Sequence, residues 1–191
     1  MLALINRLSY ARILVVEDNP VMQEVITIAL AKAGFCKIET AKDGIEALEK
    51  TYSFEPDLVL LDLKMPNLDG FGYCEQVRND ASLPRMPIIV QTMLDDRASK
   101  LQALSCGADD FLNKPIDVEE LNLRVCNQLI RYFTYKEMLE TYSYITMELE
   151  HLRQNMRKEP KNTSMSQSMR DALDRHCEIL ETITSISSFA H

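Results

Sequence analysis

Asp57-Leu58-Val59-Leu60-Leu61-Asp62 is the stretch from which the rest of the chain can be read. Its apolar residues follow one another without polar alternation, so a strand built from them has both faces covered. Two further runs share the pattern. Ile13-Leu14-Val15-Val16 ends at Glu17-Asp18, and Pro87-Ile88-Ile89-Val90-Gln91 ends near Thr92. Such runs suit the central strands of a parallel sheet with helices on both sides.

Working outward, weaker strands are predicted at Lys37–Thr40 and Asp110–Leu112. Helical stretches lie between them at Pro20–Ala33, Gly44–Ser53, Gly70–Asn79 and Arg97–Cys106. Pro20 suits the first turn of a helix and Gly34 its C-terminal stop. Five βα units of this size make a doubly wound α/β domain. In open sheets of that kind the ligand crevice lies beyond the carboxyl ends of the strands. Glu17, Asp18, Asp62 and Thr92 all fall at such ends, so one crevice should gather them.

Clustered carboxylates repel one another, and a hard divalent cation is what holds them ionised together. Mg²⁺ suits such a site, being bound by one or two carboxylates, water and often a phosphate oxygen. With the charge so balanced, Asp62 can act as a nucleophile and form an acyl phosphate. Lys114 can neutralise the incoming phosphoryl oxygens and Thr92 can donate a hydrogen bond to one of them. Stabilising spread negative charge is most of what phosphoryl transfer requires.

The residues Leu14-Val15-Val16-Glu17-Asp18-Asn19, Asp62-Leu63-Lys64-Met65-Pro66-Asn67-Leu68-Asp69-Gly70, Thr92 and Lys114-Pro115 resemble the receiver domain of bacterial response regulators. The separations match as well: 44 residues from Asp18 to Asp62, 30 from Asp62 to Thr92, and 22 from Thr92 to Lys114. A lone Lys-Pro carries no signal; these motifs in this order are specific. The likeness covers residues 11–130 and implies a five-stranded, flavodoxin-like parallel sheet of order 2-1-3-4-5, followed by a long helical extension. It implies that Asp62 accepts a phosphoryl group from a phosphohistidine on a sensor histidine kinase. Asp18 and Asp62 would ligate Mg²⁺ directly, the backbone carbonyl of Lys64 would be a further ligand, and Glu17 would act largely through water. The Lys114–Pro115 bond is expected to be cis. Thr92 and Phe111 would form the switch, Thr92 moving inward and leaving room for the ring to turn.

Two departures stand out. The residue after Thr92 is the long Met93 where the family usually has a small one, and the switch aromatic is Phe111, without a hydroxyl. A second reading of Phe111 stays open, as a fixed core ring. Asp69 and Gly70 are expected to shape the loop after Asp62 and start a helix. His176 reads more readily as a packed or surface histidine than as a phosphotransfer site.

Past residue 117 the pattern changes. Asp117 is a good N-cap, and no Gly or Pro follows until Pro160. A helix over residues 118–156 would run about 58 Å. Along it Tyr135, Met138, Tyr142, Ile145, Leu149, Leu152 and Met156 step by 3, 4, 3, 4, 3 and 4 residues, the spacing of a coiled-coil seam. Residues 131–157 are therefore assigned to an extended amphipathic helix, 158–168 to a linker and 169–186 to a second short helix. Too few residues remain for a winged-helix DNA-binding module, and neither a cyclic-dinucleotide synthase nor an HD hydrolase signature is present. The expected output is protein–protein contact with an unidentified downstream protein, through a homodimer held by the C-terminal helices. Alternatives are the regulatory part of a longer or degenerate effector enzyme, or a phosphorelay intermediate. No enzyme activity is expected beyond the domain's own phosphorylation and dephosphorylation.

Composition narrows the remaining classes. A net charge of −8 without a basic run argues against nucleic acid as the main partner. Five cysteines, Cys36, Cys74, Cys106, Cys126 and Cys177, lie far apart without a CxxC pair, as free thiols in a reducing compartment do. No apolar run approaches the roughly 20 residues that cross a bilayer, and the start is too short and interrupted for a signal peptide. A cytoplasmic protein without a membrane partner is expected.

Overall fold

The computed structural model describes residues 7–93, 107–158 and 174–175. Strands β1 (Arg12–Val16), β2 (Lys37–Ala41), β3 (Leu58–Asp62), β4 (Ile88–Thr92) and β5 (Asp110–Asn113) alternate with helices α1 (Pro20–Lys32), α2 (Gly44–Phe54), α3 (Gly70–Asn79) and α4 (Val118–Lys158). The strands form one sheet of order β2-β1-β3-β4-β5, and every pair is parallel. The helix expected at Arg97–Cys106 lies outside the described residues. So do the linker after Lys158, His176, Cys177 and the second C-terminal helix, apart from Asp174 and Arg175.

Alternation along the strands divides the core into two faces. Ile13, Val15, Leu58, Leu60, Ile89 and Leu112 join Ile26 and Leu30 of α1 and Leu121, Val125, Leu129 and Phe133 of α4. Leu14, Val16, Val59, Leu61, Ile88 and Val90 join Ala47 of α2 and Tyr73, Cys74 and Val77 of α3. Covering on both sides explains why the central runs carry no polar alternation. Asp62 and Thr92 are the last residues of β3 and β4, where the apolar runs stop, and β2 and β5 each end one residue later than expected, at Ala41 and Asn113.

Local chemistry starts the helices where the site needs them. Asn19 caps α1, its side-chain oxygen accepting from the amides of Val21 and Met22 at 3.0 and 3.2 Å. Asp43 caps α2 through the Glu46 amide at 2.9 Å, and Asp69 caps α3 through the Gly72 amide at 2.8 Å. Asp117 accepts from the Glu120 amide at the start of α4, at 2.9 Å. Each cap satisfies a donor that the first helical turn leaves open.

The chain divides into two compact units, residues 1–133 and 134–191. The first holds the sheet, and its core contacts along α4 continue past residue 130 to Phe133, which is 4% exposed. In the second, α4 runs on to Lys158. There Tyr135, Met138, Ile145 and Leu152 of the expected seam are exposed, while Tyr142 and Leu149 are half-buried. Arg153 pairs with Asp174 at 2.9 Å.

Candidate functional site

The site sits at the carboxyl ends of β1, β3, β4 and β5. Asp62 closes β3 and is 8% exposed; Glu17 follows β1 and is 2% exposed; Asp18, next to it, is exposed. One carboxylate oxygen from each of Glu17, Asp18 and Asp62 lies within 4.8 Å of the others. The Lys114 ammonium reaches in from beyond β5 and donates to Glu17 Oε2 at 2.7 Å and to Asp62 Oδ2 at 2.8 Å. The other oxygen of Asp62, Oδ1, accepts from the Lys64 amide at 3.3 Å.

Lys114 is held in place by the main chain. Its amide donates to the Thr92 carbonyl at 2.8 Å, tying the end of β5 to the end of β4, and the Lys114–Pro115 peptide is cis. Thr92 itself is 3% exposed, whereas Met93 is 75% exposed. Phe111 is half-buried on β5, and the Arg124 guanidinium lies 5.7 Å from its ring centroid. Arg124 also pairs with Asp110 at 2.6 Å and Glu120 at 2.7 Å.

Burial and charge pull the titrations in opposite directions. Desolvation is the largest influence on Glu17 and lifts its carboxyl above the usual range, against the hydrogen bond from Lys114. Burial also disfavours the Lys114 ammonium, but hydrogen bonds to Asp62 and Glu17, with the two negative charges behind them, together outweigh it and raise its pKa. The cation is therefore firmly charged and stands as the counter-ion to a buried pair of carboxylates.

The loop after Asp62 is shaped by close approach. A Cβ on Gly70 would stand 2.4 Å from the Asp62 carbonyl oxygen and 2.8 Å from the Leu63 Cα, so only glycine lets α3 begin directly beneath the acid. Asn67 holds a positive φ of 65°, which asparagine tolerates better than most residues. Its side-chain amide donates to Asp43 Oδ2 at 2.8 Å. Gly44 and Leu68 meet through the Gly44 amide and the Leu68 carbonyl at 3.0 Å. Sequence reading identified the acids, Thr92, Lys114 and Gly70, but not this brace from Asp43 to Asn67. Asp43 directly before a helix-starting glycine was the available signal. Nor did it single out Gln91, which is wholly buried in β4.

The oxygen donors suit a hard divalent ion. Three carboxylate oxygens gathered within 4.8 Å of one another are the donor type that Mg²⁺ takes, with water completing its shell. The family model of the response regulator receiver domain matches residues 13–126. The chain belongs to that family. Over 114 residues this receiver domain is 39% identical to the DNA-binding dual master transcriptional regulator RpaA of Synechocystis sp., a match spanning 60% of this chain and 47% of that one. Among solved structures it resembles the receiver domain of a Francisella response regulator, with 30% identity, a TM-score of 0.59, and coverage of 63% of this chain and 98% of that one. It also resembles the receiver domain of a sensor histidine kinase from Pseudomonas aeruginosa, at 32% identity, TM-score 0.58 and the same coverage. That structure holds a magnesium ion in its active site cleft. The chain matches less than half the length of the first curated relatives. Among the described residues no helix is long and apolar enough to cross a membrane.

Proposed function

We propose that this receiver domain is a switch in which Asp62 accepts a phosphoryl group from a phosphohistidine of a sensor histidine kinase. The observation that carries the reading is the Lys114 ammonium, brought across the sheet to within 2.8 Å of Asp62 at the base of an acidic crevice. An Asp62 carboxylate oxygen attacks phosphorus, an O–P bond forms, and the P–N bond to the donor imidazole breaks with its electron pair left on nitrogen. Lys114 passes from the carboxylate to a phosphoryl oxygen, and the Thr92 hydroxyl donates to another. Asp18, Asp62 and the Lys64 carbonyl would hold Mg²⁺, with Glu17 acting through water. The ion's chemistry is charge neutralisation on the carboxylates and the phosphoryl oxygens.

Readout is through the β5–α4 side of the domain and through the C-terminal helices. Phe111 turns inward as Thr92 moves, leaving the Arg124 guanidinium. The exposed apolar positions along the outer part of α4 favour a homodimer whose geometry a downstream protein reads.

The experiment is labelling by acetyl phosphate with Mg²⁺. Wild-type chain takes up phosphate in an alkali-labile bond that hydroxylamine cleaves, and Asp62→Asn takes up none. Persistent labelling of the variant at wild-type level removes the assignment.

A further inference from the structure

β4 carries one residue out of character with its neighbours. Ile88, Ile89 and Val90 are wholly buried and apolar, and Gln91 beside them is equally buried, at 0% exposure. Neither atom of its side-chain amide, Nε2 or Oε1, has a hydrogen-bond partner among the described residues. Burial of an amide in that state opposes folding. Leucine would fill the same space without that penalty, so the amide needs another reason to be there.

The sheet register supplies one. Gln91 pairs with Asp62 on one side and with Leu112 on the other, and paired residues of neighbouring strands point to the same face. Leu60, Ile89 and Leu112 share one core cluster, so by alternation Asp62 and Gln91 emerge on that face together. Lys114 leaves the chain two residues beyond Leu112 and still reaches Asp62 on β3. Since β4 lies between β3 and β5, the lysine side chain crosses β4. Gln91 is the β4 side chain in the row of Asp62 on that face. Lys114 donates to Glu17 and Asp62, which uses two of the three protons an ammonium carries.

We propose that Gln91 is a positioning residue for Lys114: its amide oxygen accepts a hydrogen bond from the third ammonium N–H and keeps the cation over β4 when a phosphoryl group displaces the contact between Lys114 and Asp62. The unpartnered amide is then a reserve acceptor, unused while Lys114 rests on the carboxylates and engaged when one of them is esterified. This inference rests on the reading of Asp62 as the acceptor.

The test compares the full chain with Gln91→Leu and Gln91→Met, the second being unbranched and closest to glutamine in shape. Melting temperature and acetyl phosphate labelling are measured on each, with Ile89→Val as a control that loosens the same strand. The expected result is a melting temperature equal to or above wild type in both Gln91 variants, with labelling slowed about tenfold, the scale of one hydrogen bond to a charged group. The half-saturating beryllofluoride concentration rises in parallel, and the control labels as wild type does. Labelling at the wild-type rate in either Gln91 variant overturns the proposal. So does a loss of labelling that follows a lowered melting temperature in both, or that the control shares. A wild-type chain that takes no label at all defeats the reading of Asp62 instead.

Discussion

α4 is one helix with two unlike halves. From Leu121 to Phe133 its inward residues Leu121, Val125, Leu129 and Phe133 step by four and are at most 4% exposed, sealed against one face of the sheet. From Tyr135 onward the apolar periodicity persists, yet Met138, Ile145, Met147 and Leu152 are 45, 42, 59 and 49% exposed. The helical pattern is of the same kind in both halves, and only the first has a sheet to bury it. Amphipathicity therefore reports that a face seeks cover; it does not say whether the cover is internal or a second molecule.

The sharpest way to break this contrast is to remove the same kind of side chain from each half. Leu129→Ala is expected to lower the stability of the receiver by about 2–5 kcal/mol, through lost burial and a residual cavity. Ile145→Ala in a dilute, unassembled chain should change it by less than about 0.5 kcal/mol. Denaturant melts at two protein concentrations decide the matter. A large, concentration-dependent loss for Ile145→Ala places that residue inside a dimer, whereas a large loss without concentration dependence contradicts the exposed description.

Mg²⁺ should act on the first unit alone. At a hundred times its dissociation constant it is expected to add about 2.7 kcal/mol to the unfolding free energy. A chain ending at Thr134, which keeps Phe133, should gain as much as the full chain. Asp18→Ala should abolish the gain in both, and a gain confined to the full chain would mean that the ion binds elsewhere. Next in size is Gly70→Ala, which forces α3 away from the Asp62 backbone. A destabilisation of about 1–3 kcal/mol with slowed labelling is expected, and wild-type behaviour would show that the close approach is readily relieved.

Acid sensitivity offers a subtler division. The Glu46 amide, and after it the Asn67 side chain, hold the Asp43 carboxyl below its ordinary 3.8. A depressed carboxyl contributes stability above its unfolded value, and that contribution disappears as pH falls through the folded value. Asp43→Asn should therefore be less stable than wild type near neutrality and lose less below pH 3.8. Parallel pH profiles for the two chains would refute the role given to this brace. The smallest effect is expected at Met93, which is 75% exposed beside Thr92. Met93→Ala should change the acyl phosphate lifetime roughly threefold, well under the 1.4 kcal/mol that a tenfold change represents, and identical decay rates would show that its bulk is irrelevant.

The strands were legible because burial on both faces leaves continuous apolar runs, as in Leu58–Leu61 and Ile88–Val90. Their polar ends were legible because a parallel sheet presents ligand groups at its carboxyl edge. The boundaries shifted by a residue at β2 and β5, since pairing in the ladder carries Ala41 and Asn113 with it. Less legible were interactions joining distant segments. Nothing in the local sequence around Asn67 announces that its amide meets Asp43, and nothing around Arg124 announces a cation–π approach to Phe111. Gln91 escaped notice because, read along the chain, it is simply the polar end of an apolar strand.

By itself the sequence determined the alternation of strands and helices, the acids and lysine of the crevice, and the length of the last helix. These follow from periodicity, capping and spacing, which are local. The tertiary structure alone decided that Lys114 spans β4 to pair with Asp62 and Glu17, that Gln91 lies buried and unpartnered in the row it crosses, and where along α4 the core ends. Each of these is a matter of which surfaces meet, and that depends on the order and register of strands far apart in the chain.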